Sequence, residues 1–205
     1  MNTRNILQIA AMVAGILLLL GGCSSKQEIV TPEGRSGYLL PGSPDKLMAN
    51  FVTAYGSMDL EGYAQVLHED FVFTFQLCDV QKLGLLEDHL TRQEELAVAA
   101  NMFSRAEVTK DDGRKVPGIH FIEFLYCERV SAWEAAAGFK DRDEVLGATY
   151  DMVVEITQMT GSVITIQGRS VFYVTGAGTV DTATGGAPYY HLIGWVDLTE
   201  GCMSD

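Results

Sequence analysis

The stretch from Ser43 to Gln76, SPDKLMANFVTAYGSMDLEGYAQVLHEDFVFTFQ, constrains the fold most, because its apolar period changes from helical to alternating within a few residues. Leu47, Met48, Phe51, Val52 and Tyr55 share one face at helical spacing, with Ser43 placed to cap and Pro44 at the first helical position. Met58-Asp59 breaks the pattern, and Asp59 suits the N-cap of a second helix carrying Leu60, Tyr63, Ala64 and Leu67. After His68-Glu69-Asp70, the residues Phe71, Phe73 and Phe75 alternate with Val72, Thr74 and Gln76, which is the period of a strand.

The N-terminus predicts an address. Arg4 precedes an apolar run, Ile6 to Leu20, that is too short to span a bilayer as a helix. It ends in Leu20-Gly21-Gly22-Cys23, so residues 1–22 read as a secretory signal. The cysteine after Leu-Gly-Gly resembles a bacterial lipobox, which implies acylation of Cys23 and attachment to the lipid bilayer. Ser24 next to it, by the same resemblance, implies an outer membrane location facing the periplasm. The alternative is an ordinary signal peptide with an incidental cysteine. Residues 23–42, rich in Ser, Gly and Pro, read as a flexible tether, and residues 43–205 as one domain.

The formal charge of −13 excludes nucleic acid and anionic membrane surfaces as electrostatic partners. Cys78, Cys127 and Cys202 have no CxxC neighbour, which leaves a redox or zinc motif without support. One disulfide with a free thiol, or three buried thiols, are both open, and Cys78 with Cys127 is the pair favoured if a bridge exists. The four histidines lack close ligand spacing, so no metal or cofactor is implied.

Further along, residues 77–90 read as an irregular connection, and Thr91-Arg92-Gln93-Glu94 as a capping box. A third helix follows with Leu96, Ala99, Ala100 and Phe103 on its apolar face. Gly118 to Arg129 predicts a strand with large apolar residues on both faces, hence a central or well-covered position. Residues 130–147 interrupt the strands with an expected short helix, capped by Ser131 and stopped by Gly138, as a lid, an edge cover or a passive excursion. Strands over 148–160, 162–175 and 188–199 complete an α+β chain, with a hairpin at Thr160-Gly161.

This order of elements, with Trp195 and Asp197 in the final strand, resembles the nuclear transport factor 2-like superfamily, which includes ketosteroid isomerases and polyketide cyclases. The resemblance implies three N-terminal helices packed in a strongly curved, mostly antiparallel sheet, forming a cone with an apolar pocket, and homodimers formed through the sheet. Isomerases of that kind use a tyrosine on the first helix as oxyanion donor and an aspartate on the first strand as base. Aligned without a gap, those positions fall on Phe51 and Phe75, which can neither donate a hydrogen bond nor move a proton. The isomerase mechanism is therefore not implied.

Two functions remain open. The first is a lipid-anchored, non-catalytic domain that binds a small apolar ligand or an envelope protein. Its expected pocket residues are Phe51, Tyr55, Phe75, Tyr126, Tyr150, Tyr173, His191 and Trp195. The second is a lyase, cyclase or hydrolase that uses His191 or His120 as acid–base, with Asp151 or Glu155 as a carboxylate partner. Asp70 reads as a local acceptor for backbone N–H groups, and His68 and His89 as solvent-exposed.

Overall fold

In the computed structural model, residues 37–110, 113–142, 144–180 and 188–198 are described. The signal segment, Cys23 and Cys202 lie outside them. The Ser43 hydroxyl accepts from the Lys46 N–H and opens α1 (Pro44–Ser57), whose Leu47, Met48, Phe51 and Ala54 are buried. Met58, at a left-handed φ of 55°, closes α1 by pointing its N–H at the carbonyls of Ala54 and Tyr55. Asp59 then caps α2 (Leu60–Val66), accepting from the Gly62 N–H at 3.0 Å, and α2 runs straight into β1 (Leu67–Thr74).

The connection that follows is more regular than expected. Residues 77–83 form α3 (Leu77–Leu83), which Gly84 stops with a φ of 64°. β2 (His89–Thr91) leads directly into α4 (Arg92–Phe103), where the expected capping box forms between Thr91 and Glu94. The face of α4 is rotated from the expected one: Glu95, Val98 and Ala99 are buried, and Leu96 and Phe103 only partly. A buried carboxyl can share an apolar face when another side chain satisfies it, which Tyr63 does here.

A small hairpin, β3 (Val108–Thr109) with β4 (Lys115–Val116), precedes the long strands. These are β5 (Ile119–Arg129), β7 (Val145–Gln158), β8 (Val163–Val180) and β9 (Pro188–Asp197), with β6 (Glu134–Ala135) a short addition to β7. The sheet runs β2-β1-β9-β8-β7-β5 and is antiparallel except for the β1–β9 pair. Register shifts interrupt β1, β5 and the β8–β9 pair, and each such bulge bends and twists its strand. The result is an α+β fold in which a curved mixed sheet covers the helices, consistent with a nuclear transport factor 2-like cone. The core lies on the concave side, built from α1, α2 and the inward residues of β1, β7, β8 and β9.

Four expectations are corrected. β5 ends the sheet path instead of lying centrally, and its Phe121, Leu125 and Tyr126 are exposed. Residues 131–137 do not form a helix. The Ser131 hydroxyl accepts from the Thr149 N–H at 2.9 Å on the neighbouring strand, and residues 134–135 extend the sheet at β7 instead. An unpaired strand edge offers the backbone partners that a short helix would otherwise have to supply itself. Cys78 is disulfide-bonded whereas Cys127 is a free thiol, so these two are not paired with each other.

The fourth concerns the tether, which becomes part of the packed structure by Tyr38. The Tyr38 hydroxyl donates to Asp59 Oδ2 at 2.8 Å, and Asn50 bonds both the N–H and the carbonyl of Leu39, at 2.7 and 2.6 Å. Gly62 permits this, because a Cβ there would lie 2.1 Å from the Tyr38 hydroxyl.

Candidate functional site

The concave face of the sheet and the helices above it enclose a continuous set of aromatic rings. Phe51 is fully buried on α1, with ring centroids 5.4 Å from Phe172 and 5.5 Å from Trp195. Tyr55, one turn later, lies 5.2 Å from both Tyr63 and Phe103. Trp195 reaches the β1 side through Phe73 at 5.0 Å, and Phe172 reaches Tyr150 at 5.4 Å. Most of these pairs are tilted or edge-to-face, the arrangement that ring quadrupoles prefer.

One carboxyl enters this interior. Tyr63 donates its hydroxyl to Glu95 Oε1 at 2.8 Å, and both residues are buried. Loss of water around Glu95 pushes its pKa up to about 7, although the Tyr63 hydrogen bond favours the carboxylate and opposes the rise. Burial, and then the nearby Glu95 charge, push the tyrosines the other way from ionisation: Tyr55 and Tyr63 both lie well above their usual range. The Tyr55 hydroxyl has only the Met102 sulfur, at 3.8 Å, as a weak acceptor. The interior thus holds a carboxyl that titrates near neutrality, beside two hydroxyls that remain protonated. Such a group can donate a hydrogen bond when protonated and take a proton when not.

Of the eight residues expected in a pocket, Phe51, Tyr55, Tyr150 and Trp195 share this interior. Phe75 joins its margin through Phe73, at 4.9 Å. Tyr126 is exposed on β5. Tyr173 lies between Phe172 and Val174, both buried in the core, and strand alternation therefore turns it to the opposite face. His191 precedes the core residue Leu192 and faces away in the same manner. Phe51, a ring with no polar atom, is packed on five others.

The expected histidine–carboxylate pairs do not form. His191 is the cross-strand partner of Thr175, whereas Asp151 pairs with Arg169. Those two positions on β8 are separated by about 20 Å of strand, and the Asp151 carboxylate is engaged by the Arg169 guanidinium at 2.7 and 3.2 Å. Glu155, opposite Thr165, is farther still. His120 is exposed, with its ring 5.4 Å from that of Phe121.

His68 is a correction. It lies within β1 with its side chain only 13 % exposed, and its Nδ1 accepts from the Asp70 N–H at 3.1 Å. The Asp70 carboxylate, expected to hold backbone N–H groups, instead accepts from Arg142. His89 is partly exposed and contacts Asp88 at 2.9 Å. Ligand atoms of His68, Glu69 and Asp70 come within 4.8 Å of one another, a spacing a cation could use, although the Arg142 guanidinium already neutralises Asp70 there. Burial raises the Cys127 thiol to about 12, which disfavours its thiolate.

Glu95 carries no functional signal in the sequence, and Tyr63 stands there only as part of the apolar face of the second helix. The structural signal for Glu95 is the i, i+3, i+4 series Glu95, Val98, Ala99, which places an acid at the head of an apolar face.

No family model matches the chain, and no curated protein matches it. Solved structures do. A conserved protein from Planctomyces limnophilus aligns with a TM-score of 0.50 at 11% identity, over 74% of this chain and 89% of that one. A ketosteroid isomerase-like protein from Erwinia carotovora aligns with a TM-score of 0.46 at 11% identity, over 76% and 93%. A nuclear transport factor 2-like protein from Rhodospirillum rubrum, of unknown function in nutrient uptake, aligns with a TM-score of 0.46 at 12% identity, over 77% and 98%. At such identities the likeness concerns the fold alone.

Proposed function

We propose that the chain is an envelope lipoprotein, anchored through acylated Cys23 at the outer membrane, whose domain holds a small, largely apolar ligand against its aromatic interior. The observation that carries the ligand reading is Glu95 with Tyr63 and Tyr55 among the rings. An apolar site gains orientation from one or two fixed polar groups, and this interior supplies a carboxyl and two hydroxyls at one point. The ligand expected is an aromatic or alicyclic molecule with a single hydroxyl, carbonyl or amide to meet Glu95. The lipid anchor rests on the Leu20-Gly21-Gly22-Cys23 motif.

A catalytic reading has one observation in its favour, and it lies at Glu95 and not at His191 or His120. A carboxyl that titrates near pH 7 is suited to general acid–base work. Absence of a donor at Phe51 and of a base at Phe75 favours binding without turnover. Binding of an envelope protein or a second copy of this chain remains the third possibility, with the exposed Phe121, Leu125 and Tyr126 of β5 as its surface.

Full-length protein extracted from membranes in mild detergent tests the reading by native mass spectrometry. A small adduct in the parent that is lost in Glu95→Ala supports it. No adduct, no thermal shift with aromatic alcohols or ketones, and turnover of such a compound by the parent would together replace binding with catalysis. Labelling with radioactive palmitate tests the anchor, and incorporation that persists in Cys23→Ser would remove it.

A further inference from the structure

The face of the sheet turned away from the aromatic interior carries a second cluster, which the ligand reading above does not use. At the β1 bulge lie His68, Glu69 and Asp70. The His191 ring on β9 lies 6.3 Å from that of His68, and Thr175 on β8 is the cross-strand partner of His191. Directly opposed residues of an antiparallel pair project to the same face within a few ångströms, so Thr175, His191 and His68 adjoin.

Two atoms in this cluster lack partners. Thr175 is 1 % exposed and its hydroxyl has no hydrogen bond, and the buried Nδ1 of His191 has none either. They are the two such side-chain atoms among the described residues, and they sit on facing positions of neighbouring strands. Buried polar groups are nearly always matched, so an adjacent unmatched pair marks a place where something other than protein completes the bonding. A roof already exists. Phe139 stacks on Tyr173 at 4.1 Å and lies over Gly194, where a Cβ would meet it at 2.4 Å. From the same segment the Lys140 ammonium reaches the Asp70 carbonyl and Arg142 its carboxylate, fastening the roof to β1.

The surrounding charge selects the kind of occupant. Burial first, and then His68 and Arg92, lower the His191 imidazole; burial first, and then Arg142 and Lys140 against the opposing pull of Asp70 and Glu69, lower that of His68. Glu69 and Asp70 are the acids that face His68, and Asp70 is spent on Arg142. Three cations against two acids is a local reversal in a chain of net charge −13. A further positive ion would enter against that field. His68 Nδ1 accepts from a backbone N–H, so its own proton resides on Nε2 and is available for donation.

We propose that this roofed cluster binds one small oxyanion, a carboxylate or a phosphate, through the Thr175 hydroxyl, His191 and the His68 Nε2–H. Arg92 supplies long-range attraction, and the 139–142 segment closes over the bound ion.

Isothermal titration of the full-length protein in detergent, at constant ionic strength in chloride, tests this with inorganic phosphate and sodium acetate in separate runs. One saturable site for either supports the proposal, and the preferred ion identifies its shape, tetrahedral or planar. Thr175→Val retains shape and removes the unmatched hydroxyl; it should weaken that site by about tenfold or more while leaving the ion-free melting temperature unchanged or higher. His191→Gln serves as an independent variant with the same expected loss. Absence of saturable binding by either ion overturns the proposal, as does binding that both variants leave intact. One-to-one binding of Zn²⁺ that His191→Gln abolishes would replace the oxyanion with a metal.

Discussion

The Tyr63 hydroxyl and the Glu95 carboxylate meet at 2.8 Å inside a shell of aromatic rings, joining α2 to α4 through the core. Tyrosine keeps its proton there, so the carboxyl is the group that changes state.

That change has a definite sign. Burial raises Glu95 from 4.5 to about 7, so between those values the unfolded chain releases a proton that the folded chain retains. Stability therefore falls as pH rises through that window and levels off above it. Glu95→Gln keeps an acceptor for Tyr63 and abolishes the titration. Relative to the parent, the variant should gain on the order of 3 kcal/mol between pH 4.5 and 7. Denaturant unfolding at three pH values across this window measures it, and parallel curves for the two proteins would rule it out.

His191 should show the opposite slope. Burial first, and then His68 and Arg92, lower it from 6.5 to about 4. The folded chain stays unprotonated while the unfolded chain takes up a proton, so this contribution is complete above pH 6.5 and is lost as pH falls towards 4. His191→Gln should flatten the acid limb of the melting-temperature profile. An unchanged limb would mean that the imidazole already protonates in the native state.

Phe51 carries the largest packing penalty expected. It is 0 % exposed and meets five rings, so Phe51→Ala should cost about 3–5 kcal/mol. Phe51→Tyr adds a buried hydroxyl and should cost about 1–3 kcal/mol unless a partner is found for it. Urea melts of both variants decide the point.

Gly194 and Phe139 are coupled. Alanine at 194 displaces the Phe139 ring from above the strand, with a loss of about 1 kcal/mol from its stack on Tyr173. In a double-mutant cycle Gly194→Ala should add little once Phe139 has been replaced by alanine. Additive losses would mean that the roof is not what the glycine accommodates.

The helix–helix–strand opening was legible because its signals are local: Ser43 and Asp59 cap their own helices, and Phe71 and Phe73 follow strand alternation. The Thr91 capping box was legible for the same reason. Signals that depend on neighbours misled. Ser131 and Glu134 have capping-box spacing, but the Thr149 N–H on the next strand takes the hydroxyl first. β5 has apolar residues on both faces, yet Phe121 and Leu125 remain exposed at the end of the sheet. The candidate site was half legible. Phe51, Tyr55, Tyr150 and Trp195 were identifiable from their spacing, whereas Glu95 reads as a solvated helix acid until α2 brings Tyr63 to it. The convergence of His68 on His191 spans most of the domain and depends on the parallel β1–β9 pairing, which leaves no trace in either strand's own residues.

The docking of Tyr38 on Asp59 has a mechanical consequence. If Cys23 is the anchor, about 15 residues separate it from that clasp, a leash of roughly 50 Å when fully extended. Any pull along the leash reaches the domain first at the Tyr38–Asp59 bond, on the α1–α2 corner, and at the Asn50–Leu39 pair in the middle of α1, before β9 feels it through the Tyr190 N–H on Pro41. The corner would act as a strain relief: tension would peel away five residues before disturbing the aromatic interior behind them.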